Sequence, residues 1–133
     1  MGKAVLHTDG GARGNPGPAG IGVVLKYGDQ ILTYKKYIGH ATNNQAEYQA
    51  VILGLEKAKE IGASEVDVYL DSELVQQQLS QRYKVKNPDL GVLFVKVWNL
   101  AMSFKKVKYI HIYREDNKMA DKLVNQAIDQ AGH

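Results

Sequence analysis

Apolar positions change their spacing several times along the chain, and each change marks an element. Residues 4–9 form a short apolar-rich run closed by Gly10-Gly11, the pattern of a buried strand that stops at a loop. Arg13-Gly14-Asn15-Pro16-Gly17-Pro18 gathers strong backbone breakers and predicts a loop. Two β-rich runs, 21–27 and 31–38, flank Gly28-Asp29 and predict an antiparallel hairpin. After Thr42 the period becomes helical: Tyr48, Val51, Ile52, Leu55 and Ala58 share a stripe, Thr42-x-x-Gln45 has the form of a capping box, and Gly62 supplies a stop.

Val66, Val68 and Leu70 alternate in a fourth strand ending near Asp71, and Ser72 is placed to cap a short helix reaching about Ser80. Arg82-Tyr83-Lys84-Val85-Lys86 then reads as a surface connection. Asn87-Pro88 opens an apolar helix through Leu93, Val97, Leu100, Ala101 and Phe104, with Phe94 and Trp98 expected in the core. Residues 107–113 form the last predicted strand, and Asp116 is expected to cap a final helix carrying Ala120, Leu123, Val124, Ala127 and Ile128. The order βββαβααβα predicts an α/β domain whose mixed sheet joins an antiparallel hairpin to parallel neighbours.

At 133 residues the chain is sized for one domain, 1–133, and a composition 44% hydrophobic and 23% charged excludes intrinsic disorder. No apolar run approaches the roughly 18 residues that span a bilayer, and the start turns polar too soon for a signal peptide. A cytoplasmic location is expected. Without cysteine there is no disulfide, thiolate metal site or cysteine nucleophile, so any metal must be held by oxygen or imidazole. The net charge of +3 is too small to name a partner by itself.

Four acids stand where the apolar pattern predicts packed interior. Asp9 and Asp71 close strands that, as parallel neighbours, would bring both side chains to one edge of the sheet. Glu47 shares a helix stripe with Val51 and Leu55, and Asp121 lies on or beside the stripe of Val124 and Ile128. Gathered carboxylates repel unless a cation neutralises them, and an all-oxygen donor set suits Mg²⁺ or Mn²⁺. A pair of such ions can activate water on one side of a phosphodiester and stabilise the leaving oxygen on the other. Each acid also has a plain structural reading, as a turn residue or a complement to a helix dipole.

With these residues in place, the sequence resembles type 1 ribonuclease H, in a short archaeal-like form. The match rests on Thr8-Asp9-Gly10-Gly11 with Gly14-Asn15-Pro16-Gly17, on Thr42-Asn43-Asn44-Gln45-Ala46-Glu47, on Leu70-Asp71-Ser72, and on Asn117-Lys118-Met119-Ala120-Asp121. The resemblance implies a ribonuclease H-like α/β fold with a mixed five-stranded sheet in the order 3-2-1-4-5. It implies hydrolysis of the RNA strand of RNA–DNA hybrids, with Asp9, Glu47, Asp71 and Asp121 holding two Mg²⁺ (or Mn²⁺) and products carrying 5′-phosphate and 3′-hydroxyl ends. It further implies substrate contacts from Gly10, Gly11, Asn15, Asn43 and Asn44, and places Thr42 and Asn117 near a pocket for a DNA-strand phosphate. Arg114 resembles the residue that short members carry in place of a loop histidine. A monomer is expected.

The chain departs from many members in two places. Only residues 81–89 stand where a basic helix-loop protrusion is usual, so Lys84, Lys86, Lys105, Lys106 and Lys108 become candidates for phosphate contacts. Tyr113-Arg114-Glu115-Asp116-Asn117 holds no histidine, and His111 falls within the expected strand. Glu73 adds a negative charge close to Asp71. These departures leave open a nuclease of the same fold acting on double-stranded RNA or DNA junctions, and a hybrid-binding module with little catalysis.

Overall fold

A computed structural model describes residues 2–133; Met1, where the reading of the chain's start begins, lies outside them. The strands are β1 (Lys3–Ala12), β2 (Gly17–Tyr27), β3 (Gln30–Ala41), β4 (Glu65–Leu70) and β5 (Lys106–His111). The helices are α1 (Asn43–Glu60), α2 (Glu73–Leu79), α3 (Pro88–Ala101) and α4 (Lys118–Gln130). One five-stranded sheet has the order β3-β2-β1-β4-β5, as expected. β1–β2 and β2–β3 are antiparallel, whereas β1–β4 and β4–β5 are parallel.

Leu6, Val23, Val51, Leu55, Val66 and Val68 belong to the main core, which α1 and α3 cover from one face. α4 packs on β2, β3 and β1. The capping box of α1 is fully formed: Gln45 N–H donates to Thr42 Oγ1 at 3.1 Å, and Thr42 N–H donates to Gln45 Oε1 at 2.9 Å. Lys57 and Lys59 complement the dipole at the other end, and Gly62, at φ +87°, terminates the helix in the left-handed region. Beyond α4, Arg13 reaches the chain end, 2.7 Å from Asp129 and 2.8 Å from the His133 carbonyl, while His133 stacks on Tyr37.

Several boundaries differ from the sequence expectation, each for an identifiable reason. β1 does not stop at Asp9 but continues through Gly10 and Gly11 to Ala12, still paired with β2, and Gly17-Pro18 already belong to β2. A Cβ on Gly10 would lie 2.3 Å from the Ala46 backbone, and one on Gly22 would lie 2.5 Å from the Ala120 carbonyl. These glycines therefore seat α1 and α4 directly on the sheet rather than breaking strands. β3 runs on to Ala41 because its last residues pair with the early part of β2.

α3 ends at Ala101, short of Phe104, and β5 ends at His111 rather than Tyr113. Residues Arg114–Asp116 form a single 3₁₀ turn, so Asp116 does not cap the final helix; Asn117 occupies that position without a side-chain capping bond. Trp98 is not in the core: it is 47% exposed on α3, whose buried face is filled by Leu90 and Val97. Phe94 is half-buried beside it. Among the described residues, no helix is long and apolar enough to cross a membrane.

Candidate active site

The parallel β1–β4 ladder ends at the Thr8–Leu70 pair, and Asp9 and Asp71 are the next residue on each strand path. Asp9 is thus internal to β1 yet stands where pairing with β4 stops, beside Asp71 as the parallel arrangement predicts. Its cross-strand partner is Gly22, which faces Ala120 of α4, so the Asp9 carboxyl emerges on the α4 side within reach of Asp121. Glu47 arrives from α1, whose first turn rests on bare Gly10 backbone, and Glu47 Oε1 accepts the Gly10 N–H at 2.8 Å.

One carboxylate oxygen from each of Asp9, Glu47 and Asp71 lies within 4.8 Å of the others. Asp121 stands next to Asp9, is half-buried, and lines the same cleft of about 360 Å³. Gly10, Gly11, Asn43, Asn44 and Arg114 also line this cleft. Burial raises the Asp9 pKa to about 7, with the charges of Asp71 and Asp121 adding to the rise. Burial also raises Glu47 well above the ordinary carboxylate range, and Asp9 reinforces the effect.

Such a cluster is unfavourable as bare anions. Its donor set, oxygen only and drawn together at an open cleft, fits a hard divalent cation that would favour the ionised forms of Asp9 and Glu47.

The remaining expected site residues divide into two groups. Asn15 and Asn43 brace the rim: Asn43 N–H donates to Asn15 Oδ1 at 3.0 Å, and Ala12 N–H donates to Asn43 Oδ1 at 2.8 Å. Thr42 is committed to its capping box and does not line the cleft. Asn117 lies inward instead of on an open phosphate pocket. It is 1% exposed, and its amide donates to the Thr8 carbonyl at 2.9 Å and to Asp71 Oδ2 at 3.0 Å.

Sequence reasoning did not anticipate this bridge between the two strand ends. The signal available was position alone, an asparagine four residues before Asp121 at the start of an amphipathic helix. Lys84, Lys86, Lys105, Lys106 and Lys108 all lie outside the cleft.

Comparison with known proteins agrees with this geometry. Residues 7–127 match the family described as reverse transcriptase-like. A bifunctional protein of Mycobacterium tuberculosis is 47% identical over 132 residues, covering 97% of this chain and 36% of that protein, so the chain spans about a third of that relative's length. The crystal structure of RNase H1 from Halobacterium salinarum superposes with a TM-score of 0.93 at 40% identity, covering 97% of this chain and 99% of that one. LC11-RNase H1, solved in complex with an RNA/DNA hybrid, superposes with a TM-score of 0.92 at 45% identity, covering 98% and 99%. With identities of 40–45% and near-complete mutual coverage of these two solved structures, the chain belongs to the ribonuclease H family.

Proposed function

We propose that this chain is an endoribonuclease that hydrolyses the RNA strand of RNA–DNA hybrids, leaving 5′-phosphate and 3′-hydroxyl ends. The observation that carries the reading is the convergence of Asp9, Glu47 and Asp71 within 4.8 Å in a family whose member LC11-RNase H1 has been seen on an RNA/DNA hybrid. Two Mg²⁺ ions, or Mn²⁺ in their place, supply Lewis acidity to the attacking water and the leaving oxygen when bound. Asp9 and Asp71, adjacent where the β1–β4 pairing stops, hold both sides of the site. Glu47 serves the side of the leaving 3′-oxygen and Asp121 the side of the water.

Recognition of the ribose strand falls to the rim. The Asn15 and Asn43 side-chain oxygens are occupied by backbone donors, which directs their amide N–H groups to substrate oxygens, the 2′-hydroxyl among them. Asn44 and the Gly10-Gly11 backbone line the cleft where the same strand would pass, and Arg114 offers a cation to a phosphate. Thr42 and Asn117 act behind this surface, by fixing the start of α1 and the Asp71 carboxylate. The protein works as a cytoplasmic monomer, and residues 1–133 form a single catalytic domain.

One assay tests the reading: a labelled hybrid, duplex RNA and duplex DNA are incubated in parallel with Mg²⁺, with and without chelator. Cleavage confined to the RNA of the hybrid and abolished by chelator is expected. Preferential cutting of duplex RNA or DNA would replace the substrate assignment, and binding without cleavage in either Mg²⁺ or Mn²⁺ would reject the enzymatic one.

A further inference from the structure

A second concave surface lies away from the acids. The groove between α3, the end of α2 and the outer strand β5 encloses about 550 Å³ and shares no lining residue with the acidic cleft. Its apolar wall carries Phe94 and Trp98, with ring centroids 6.3 Å apart and planes inclined by 29°. Its rim carries Lys105, Lys106 and Lys108, and no acidic residue lines it. Residues 74–114, which build most of it, hold eight lysines and arginines against a single acid, Asp89. Among the described residues none of the three rim lysines is engaged in an ion pair.

We propose that this groove binds single-stranded nucleic acid, bases stacking on Trp98 and phosphates meeting Lys105, Lys106 and Lys108. Lysines guarding an edge strand are common as protection against pairing. Here they line the same groove as a half-exposed indole; Lys106 and Lys108 stand beside Glu65 and Asp67 in the sheet without an ion pair to either, and cations sharing a groove with flat aromatic faces are the combination that single strands use. A duplex keeps its base faces stacked and could meet only the lysines, so the rings select unpaired strand.

α2 connects the two sites: it begins directly after Ser72 in the acidic cleft, and its last turn lines the groove. Seven residues of helix span about 10 Å, a distance of two or three nucleotides, so an unpaired flank of a hybrid in the cleft can reach the groove. The proposal goes beyond hybrid cleavage, and its test requires no catalysis.

Trp98 is the only tryptophan of the chain and therefore reports on this groove alone. Its fluorescence is followed while a single-stranded oligothymidylate of about twelve nucleotides is titrated into the protein in chelator. Saturable quenching is expected. The exposed double variant K106E/K108E should weaken binding about tenfold and flatten its salt dependence, while cleavage of a blunt-ended hybrid stays unchanged. Trp98→Ala, followed with a fluorescently labelled oligonucleotide, should weaken binding by about tenfold as well, and Trp98→Tyr should restore most of it. Absence of quenching, quenching that survives K106E/K108E, or equal quenching by an oligoglutamate peptide would each overturn the proposal, the last by revealing a groove for acidic peptides.

Discussion

Asn117 and Asp71 are joined by a 3.0 Å hydrogen bond made in the interior, where the same amide also holds the carbonyl of Thr8. The start of the last helix is thereby tied to β1 and β4 at the point where their parallel pairing stops, beside the acids they carry. Loss of this amide frees the Asp71 carboxylate to swing and leaves the Thr8 carbonyl without that donor. Asn117→Ala should lower activity or metal affinity about 10–100-fold, visible as a shift of the Mg²⁺ activation curve, with only a modest loss of thermal stability.

Asp71→Asn removes a ligand rather than its support. Cleavage of a labelled hybrid should fall by more than the roughly 100-fold upper range of an outer partner, while circular dichroism and the unfolding midpoint remain those of a folded domain. Full activity in this variant would reject the assignment of Asp71.

The raised pKa of Asp9 makes a statement about stability. An acid whose folded pKa lies above its unfolded value leaves stability intact below the unfolded pKa and removes it as pH rises toward the folded one. For Asp9 that window runs from about 4 to about 7. Metal-free protein should therefore be less stable in urea at pH 8 than at pH 5, as far as this cluster is concerned. Asp9→Asn should recover about 2–4 kcal/mol at pH 8 in chelator while abolishing cleavage, and Mg²⁺ should stabilise the unaltered protein but not the variant.

Gly22 stands opposite Asp9 and under α4. A methyl group there meets the Ala120 carbonyl at 2.5 Å and Leu123 Cβ at 2.7 Å, so the helix bearing Asp121 must lift. Gly22→Ala should cost about 1–3 kcal/mol of stability in denaturant melts and depress turnover more than hybrid binding.

Much of this was legible in the chain because burial and chemistry left separate marks. The Val66, Val68 and Leu70 alternation, the Thr42–Gln45 box and the stripe of α4 fixed elements and their order, and acids at strand ends and on apolar stripes marked the cleft. Gly10 reads as a strand end because glycine is ordinarily a turn residue. Here its value is the missing side chain, which becomes apparent only when Ala46 arrives from 36 residues further on. Trp98 misled because an apolar helix surface does not reveal which side lacks a neighbour. The resemblance sets Asn117 near a phosphate pocket, whereas its amide is spent on Thr8 and Asp71, partners so distant in sequence that the chain alone does not show them.

At Gly10 and Gly22 helix main chain comes down on bare sheet backbone, joined at Gly22 only by the Leu123 Cβ. Elsewhere the spacing of layers depends on rotamers that hop and repack, but at these two contacts it is gauged by rigid peptide units. The separation of the cleft's walls is therefore gauged by peptide units, and its dimensions should hardly drift with temperature.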